Sequence, residues 1–365
     1  MHAWNADAMR LLRERLIKWF RQHARDLPWR RTRDPYRIWV SEIMLQQTQV
    51  ATVTAYYERF LTAFPDVRTL AAAPEEKVLR LWEGLGYYRR ARHLHAAAKV
   101  IASEHDGQFP RSLEEVRKLP GVGRYTAGAI LSFAHDESQP IVEANTQRLY
   151  SRLLAYDGAL TTRAALDVLW QFAGDVLPIQ GAGELNQALM ELGSLVCTPR
   201  SPDCGACPLA EWCPTRAGGL QDRIPRSIKK LKYEEVTELA VVAWRGGRVL
   251  VRPCGAGERW AGLWDFPRFA ARPTPSRLQQ LNEGVRMLTG VEIEPGDQLT
   301  VIKHGVTRFR ITLHCHAAQT IRTPRRLLNN ARWTTLDELS SLPLSVTARQ
   351  IADLISNQGT RIATR

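Results

Sequence analysis

Leu119-Pro120-Gly121-Val122-Gly123-Arg124-Tyr125-Thr126-Ala127-Gly128 is the stretch whose reading decides the fold. Apolar residues at helical spacing lead into it (Leu113, Val116, Leu119), and an apolar run leaves it (Ala129, Ile130, Leu131, Phe133). Pro120 has no backbone N–H to donate, so the first helix stops there. Gly121 and Gly123 permit a tight turn with positive φ. The second helix then opens with N–H groups that lack an intrahelical acceptor. Such a terminus suits an anion, and a DNA phosphate fits it. A plain corner between two core helices fits the same ten residues, so the rest of the chain has to decide.

Length and charge narrow the choice. At 365 residues the chain is expected to form two domains. A net charge of +13 suits a polyanionic partner, nucleic acid first. No stretch of about 18 apolar residues is present, so no membrane span is expected. Residues 1–15 are amphipathic and charged without a signal-peptide core, which points to the cytoplasm. Six cysteines, four of them bunched, favour a metal site in a reducing compartment over a disulfide scaffold.

Outward from the turn, two stretches carry chemistry. Met9, Leu12, Leu16, Trp19 and Phe20 share one face of an N-terminal helix. Asp34-Pro35 is a helix start, a cap followed by proline in the first turn. The helix it begins is expected to carry Glu42 among apolar neighbours and then Gln46-Gln47-Thr48-Gln49. A carboxyl so placed has its pKa raised by desolvation, as a general acid at neutral pH requires. Glutamine amides offer paired donors and acceptors for base edges. Further on, Tyr87-Tyr88 follows Gly84 and Gly86 and precedes Arg89, Arg90 and Arg92, an aromatic and basic mix suited to nucleic acid. Cys197-x6-Cys204-x2-Cys207-x5-Cys213 can hold an iron–sulfur cubane or a tetrahedral zinc.

Taken together, Leu27-Pro28-Trp29-Arg30, Trp39 to Val50, Leu81 to Arg92 and the central turn resemble the MutY family of adenine DNA glycosylases, across roughly residues 9–215. The resemblance implies a helix–hairpin–helix fold and a [4Fe-4S] cluster on the four cysteines, whose spacing matches that family's loop. It implies that Glu42 protonates adenine and then activates water. Gln46 would probe the space left by the flipped base, with Gln47 and Thr48 beside it. Tyr87 would wedge into the opposite strand, and Gly121, Gly123 and Arg124 would grip the backbone. Relatives that cleave the strand carry a lysine where Tyr125 stands. Tyrosine forms no imine, so a monofunctional hydrolase is expected, with Tyr125 and Asn145 as supports.

Two departures stand out. The family has Asp where Glu143 stands, in the role of stabilising the cationic sugar. Glu143 adds a methylene, roughly 1.5 Å of reach, and a misplacement of about 1 Å can cost ~10²-fold in rate. A shifted backbone, a slower enzyme or a different substrate would each follow. The second departure lies beyond a basic linker, residues 217–235 with Lys229-Lys230-Leu231-Lys232.

There the pattern changes to strands, over Thr237–Trp244, Val249–Arg252, Leu299–Lys303 and Phe309–His316, with helices over Arg277–Leu288 and Val346–Ser356. This α+β region, 236–365, resembles the Nudix-like domain with which MutY proteins recognise 8-oxoguanine. Its helix shows only Glu283 where a Nudix hydrolase needs several glutamates, so hydrolase activity is not expected. Where the family loop ends in Ser-His, this chain has Thr307-Arg308. Thr307 keeps a hydrogen-bonding group. Arg308 offers a contact to the guanine edge or a phosphate, or is a solvated strand residue.

The expected architecture is therefore a mostly α glycosylase domain, 1–216, and an α+β domain, 236–365. The expected protein is a monomer that removes adenine opposite 8-oxoguanine or guanine from double-stranded DNA. The alternatives are a lesion-binding protein with little turnover and a glycosylase of shifted base specificity.

Overall fold

The computed structural model describes residues 4–226, 232–274 and 276–362. Lys229, Lys230 and Leu231 of the basic linker lie outside the described residues. The chain forms two compact units: residues 1–72 with 93–229, and residues 73–92 with 230–365.

The first unit is helical. Asn5 caps the helix Ala6–His23 by accepting from the Ala8 N–H, and Leu12, Leu16, Trp19 and Phe20 are its buried face. That face packs with Leu149, Leu153, Phe172, Leu185, Leu189 and Leu192 from three later helices, Ala144–Leu153, Arg163–Asp175 and Ala182–Leu195. Asp34 accepts from the Tyr36 N–H and Pro35 occupies the first turn, which starts the helix Pro35–Leu45 as the sequence predicts. Tyr36, Trp39, Val40, Ile43 and Met44 are all buried, so this helix runs through the core and carries Glu42 in with it.

The central turn follows the helix Leu113–Lys118, whose C-cap is Leu119, and precedes the helix Arg124–His135. Gly121 has φ 77°, and a Cβ there would stand 2.6 Å from the Cβ of His93, so only glycine fits. Gly123 differs from expectation. It has φ −90°, and a Cβ on it would meet nothing within 4 Å. It is the N-cap of the next helix, and it leaves the first-turn amides without a side-chain acceptor.

The second unit contains a seven-stranded sheet among the described residues. Its strands are β1 Glu234–Arg245, β2 Arg248–Pro253, β3 Trp264–Asp265, β4 Arg268–Ala270, β5 Glu292–Val306, β6 Phe309–Arg322 and β7 Arg332–Thr334. The main path is β3-β2-β1-β6-β5, with β4 paired to β1 and β7 to β2. β1 and β6 run parallel, and the other pairs are antiparallel. Gly246 and Gly247, at φ 54° and 73°, make the two-residue turn that joins β1 to β2. Along β1 the side chains alternate. Ala240 and Val242 pack with Ala348, Ile351 and Ile355 of the closing helix Val346–Ile362. Leu239, Val241 and Ala243 pack with Leu281 and Val285 of the helix Arg277–Thr289. Both sheet faces are thus covered by a helix. Among the described residues no helix is long and apolar enough to cross a membrane.

Candidate active site

One cavity of about 640 Å³ in the helical unit is lined by Glu42, Gln46, Gln47, Thr48, Gly121, Gly123, Tyr125, Glu143 and Asn145. Residues that the sequence spreads over a hundred positions meet there. Glu42 reaches it from the buried helix Pro35–Leu45. The glutamines do not continue that helix. It ends at Leu45, and Gln46-Gln47-Thr48-Gln49 form a turn with Gln47 at φ 57° before the next helix, Val50–Ala63. The turn frees Gln46 and Gln47 from helical packing and sets them on the cavity wall. The Gln46 amide reaches the Thr126 hydroxyl at 3.5 Å.

Glu42 is 4% exposed, and burial pushes its carboxyl up to about 7. The Tyr125 hydroxyl donates to Glu42 Oε2 at 2.6 Å and partly opposes that rise, while the negative charge of Glu143 adds to it. Burial likewise lifts the Tyr125 phenol well above its usual range, so it stays a neutral donor.

Glu143 caps the helix Ala144–Leu153 in a reciprocal box with Thr146. The Thr146 N–H donates to Oε1 at 2.9 Å and the Asn145 amide to Oε2 at 3.3 Å. The additional methylene is thus accommodated by a side chain that folds back on its own helix and is held at both oxygens. Burial raises the Glu143 carboxyl above its ordinary value, and the Asn145 and Thr146 donors work against that rise. Asn145 is fixed in turn. Arg148 donates to Asn145 Oδ1 at 3.0 Å, to the Gly193 carbonyl at 2.5 Å and to the Cys197 carbonyl at 2.7 Å. Gly193 has no side chain where a Cβ would stand 2.9 Å from Asn145 Cβ, so the helix Ala182–Leu195 packs directly on this residue.

Sequence reasoning missed a third carboxylate in the cavity. Glu191 is fully buried and takes two side-chain bonds from Arg25, at 2.9 and 2.6 Å, and two from Arg30, at 3.0 and 2.9 Å. These hydrogen bonds overcome desolvation and hold Glu191 down at about 2. The partners lie 161 and 166 positions from Glu191, and no local pattern signals such a pair.

The other sequence-predicted residues lie elsewhere. Arg124 stacks its guanidinium 3.8 Å above the Trp170 ring. Tyr87 belongs to the second unit and is 51% exposed, at φ 47°. Thr307 and Arg308 form the exposed turn between β5 and β6. Thr307 is at φ 51°, and Arg308 Nε sits 3.1 Å from Glu234 Oε1.

Cys197, Cys204, Cys207 and Cys213 surround a separate small cavity with Leu149, Leu153 and Val196. The donors fit an iron–sulfur cluster. Burial, reinforced by the neighbouring thiols, pushes the Cys207 thiol up to about 12, so the thiolates need metal charge to persist. Arg152 donates to Cys197 Sγ at 3.3 Å, and Gln221 approaches Cys204 Sγ at 3.7 Å. Cys197, Cys207 and Cys213 also pack on the helical core, so a cluster here fastens the end of that unit. Cys254 and Cys315 are buried elsewhere.

This chain is similar to known proteins along most of its length. Residues 40–172 match the model of the HhH-GPD superfamily base excision DNA repair protein. Residues 197–213 match the iron–sulfur binding domain of endonuclease III, and residues 239–354 a NUDIX domain. The adenine DNA glycosylase of Mus musculus is 31% identical over 96% of this chain and 79% of its own length. That of Buchnera aphidicola subsp. Schizaphis graminum is 34% identical over 70% of this chain and 74% of its own. The chain belongs to the adenine DNA glycosylase family. A thermostable thymine-DNA glycosylase of known structure superposes with a TM-score of 0.54 at 27% identity, over 57% of this chain and 97% of that one. Endonuclease III in a non-covalent DNA complex shares the fold of the same region, at 22% identity and a TM-score of 0.51 over 60% of this chain and all of that one. The family and the match at 197–213 establish the cysteine loop as the holder of a [4Fe-4S] cluster.

Proposed function

We propose that the enzyme hydrolyses the N-glycosidic bond of adenine mispaired with 8-oxoguanine or guanine in duplex DNA, as a monomer and without cleaving the strand. The observation that carries this reading is Glu42, a buried carboxyl at about 7, facing the same cavity as Glu143. With adenine turned out of the stack into the cavity, protonated Glu42 donates its proton to a ring nitrogen. The C–N bond breaks and its electron pair leaves with the base. The Glu143 carboxylate faces the positive charge that develops on the sugar. Glu42, now ionised, takes a proton from the attacking water, which restores the acid. Tyr125 holds Glu42 in place and carries no amine, so no Schiff base with the sugar forms. Glu191 with Arg25 and Arg30 presents a fixed polar edge to the purine in the cavity. The uncapped amides after Gly123 grip a phosphate, and Tyr87 enters the opposite strand beside the damaged guanine. Thr307 and Arg308 reach that guanine or its backbone. The [4Fe-4S] cluster fastens the loop of Cys197 to Cys213 and takes no part in hydrolysis.

The test is single-turnover base release, revealed by alkali, on a panel of mispairs. Adenine opposite 8-oxoguanine is expected to be released fastest and adenine opposite guanine next. Borohydride is expected to trap no adduct. Tight binding of the mispair without release would overturn the reading in favour of a lesion-binding protein. Faster release of another base would make it a glycosylase of shifted specificity.

A further inference from the structure

Residues 73–92 fall inside the base-excision segment 40–172 by sequence, yet they pack with the C-terminal sheet. The contacts are specific. The helix Glu75–Trp82 ends at Glu83, and Gly84, Gly86 and Tyr87 follow with φ of 99°, 69° and 47°. A loop with three left-handed residues in four holds one shape only if its ends are fixed. Inside the loop, the Trp82 indole donates to the Gly86 carbonyl at 3.2 Å, and Arg90 donates to the Leu85 and Gly86 carbonyls at 3.1 and 3.3 Å.

The ends are fixed from the sheet side. Glu83, with its side chain 9% exposed, receives Arg349 in a two-pronged pair, Nε to Oε1 at 2.7 Å and Nη2 to Oε2 at 3.1 Å. The Leu344 N–H at 3.3 Å and Arg80 Nη1 at 3.2 Å also donate to Oε2. Arg349 is itself tied to the Leu342 carbonyl at 2.7 Å. Nearby, the Trp264 indole donates to Glu76 at 3.0 Å. On the far side of the loop, Arg92 donates to the Ala261 carbonyl. Gly262 is bare where a Cβ would stand 2.9 Å from Arg92 Nη1, so the backbone of 261–262 can close on that guanidinium.

We propose that the Glu83–Arg349 pair is a positioning clasp, through which the C-terminal sheet unit sets the Gly84–Tyr87 loop that enters DNA. Glu83 and Arg349 do not touch substrate; they act through Tyr87. The inference rests on the reading above that Tyr87 intercalates. A planar fork on a carboxylate this well buried fixes direction as well as distance, which a lone charge contact does not. Recognition of the mispair by the sheet unit and insertion of the aromatic then become one event, because both sit on one compact body.

The test uses the full chain and a duplex with 2′-fluoro-deoxyadenosine, whose glycosidic bond resists cleavage, opposite guanine. A 2-aminopurine next to that guanine reports unstacking. Tyr87→Ala is expected to abolish most of the fluorescence rise and to lower the mispair-over-matched affinity ratio. Arg349→Ala is expected to lower both about tenfold, and Arg349→Lys to restore part. In a Tyr87→Ala background, Arg349→Ala is expected to change nothing further. Arg349→Ala with the wild-type rise and ratio, beside a defective Tyr87→Ala, would overturn the clasp and leave the wedge standing. Equal losses from Arg349→Ala in both backgrounds would also overturn it, since the pair would then act only through general stability. A Tyr87→Ala protein with the wild-type rise would overturn the intercalation reading and the clasp with it.

Discussion

The helical unit and the sheet unit both bury carboxylates, and Glu42 in the one and Glu238 in the other are treated in opposite ways. In the sheet unit, Glu238 is gripped by Arg259 and Arg268, and buried Asp265 lies 3.8 Å from Arg268. Glu238 is closed into an ion-pair network beside Trp260, whereas burial raises Asp265 to about 6 against Arg268 and the Ser345 hydroxyl. In the helical unit, Glu42 meets a neutral phenol and faces a second carboxylate. The contrast recurs within one cavity, where Glu191 is held at about 2 by two guanidinium groups and Glu42 at about 7 by burial. A buried acid that is fully paired is architecture. A buried acid that is left short of partners is able to move a proton at neutral pH.

The contrast breaks most directly at Glu42. Glu42→Gln keeps shape and removes the proton, so base release is expected to fall by ~10³-fold or more while mispair binding persists. Single-turnover release and a binding titration on the same duplex measure both. Next in size is Glu143. Glu143→Gln is expected to slow release by ~10²-fold, through loss of the charge facing the sugar. Glu143→Asp is expected to slow it about tenfold, because the shorter side chain gives up the Asn145 contact that now fixes Oε2. A faster Glu143→Asp enzyme would mean that the present carboxylate is misplaced.

Tyr125→Phe sharpens the comparison at smaller scale. The phenol holds the Glu42 pKa down, so its loss is expected to raise that pKa and move the alkaline limb of the rate profile to higher pH. The smallest effect on chemistry is expected on the paired side. Glu238→Gln leaves the rate within about twofold, yet destabilises the sheet unit by roughly 3 kcal/mol, because buried Arg268 loses the nearer of its two counter-charges. Thermal melts beside single-turnover rates separate the two. Glu42→Gln should do the reverse. Its folded pKa lies above the unfolded 4.5, so the wild type loses stability as pH rises through about 7, and the variant is expected to melt higher above pH 8.

Much of this was legible in the chain. Proline and glycine rules located the central turn, Asp34-Pro35 located the buried helix, and strand-like runs on either side of Gly246-Gly247 located β1 and β2. What escaped was non-local or sterically local. Gln46 to Gln49 read as helix by composition, but the backbone turns at Gln47. Gly123 read as a positive-φ residue and is instead a bare N-cap. Arg25, Arg30 and Glu191 come together only through tertiary packing, as do Glu83 and Arg349, 266 positions apart.

The central claim is that burial, only partly offset by the Tyr125 hydroxyl and the Arg30 charge, tunes Glu42 for acid chemistry. Its most direct measurement is the pH dependence of single-turnover adenine release opposite 8-oxoguanine, wild type against Glu42→Gln. The expected wild-type rate declines as pH rises through about 7, and the variant stays ~10³-fold or more slower with no such decline. A wild-type rate that stays level to pH 9, or a variant that keeps the same limb, would contradict it.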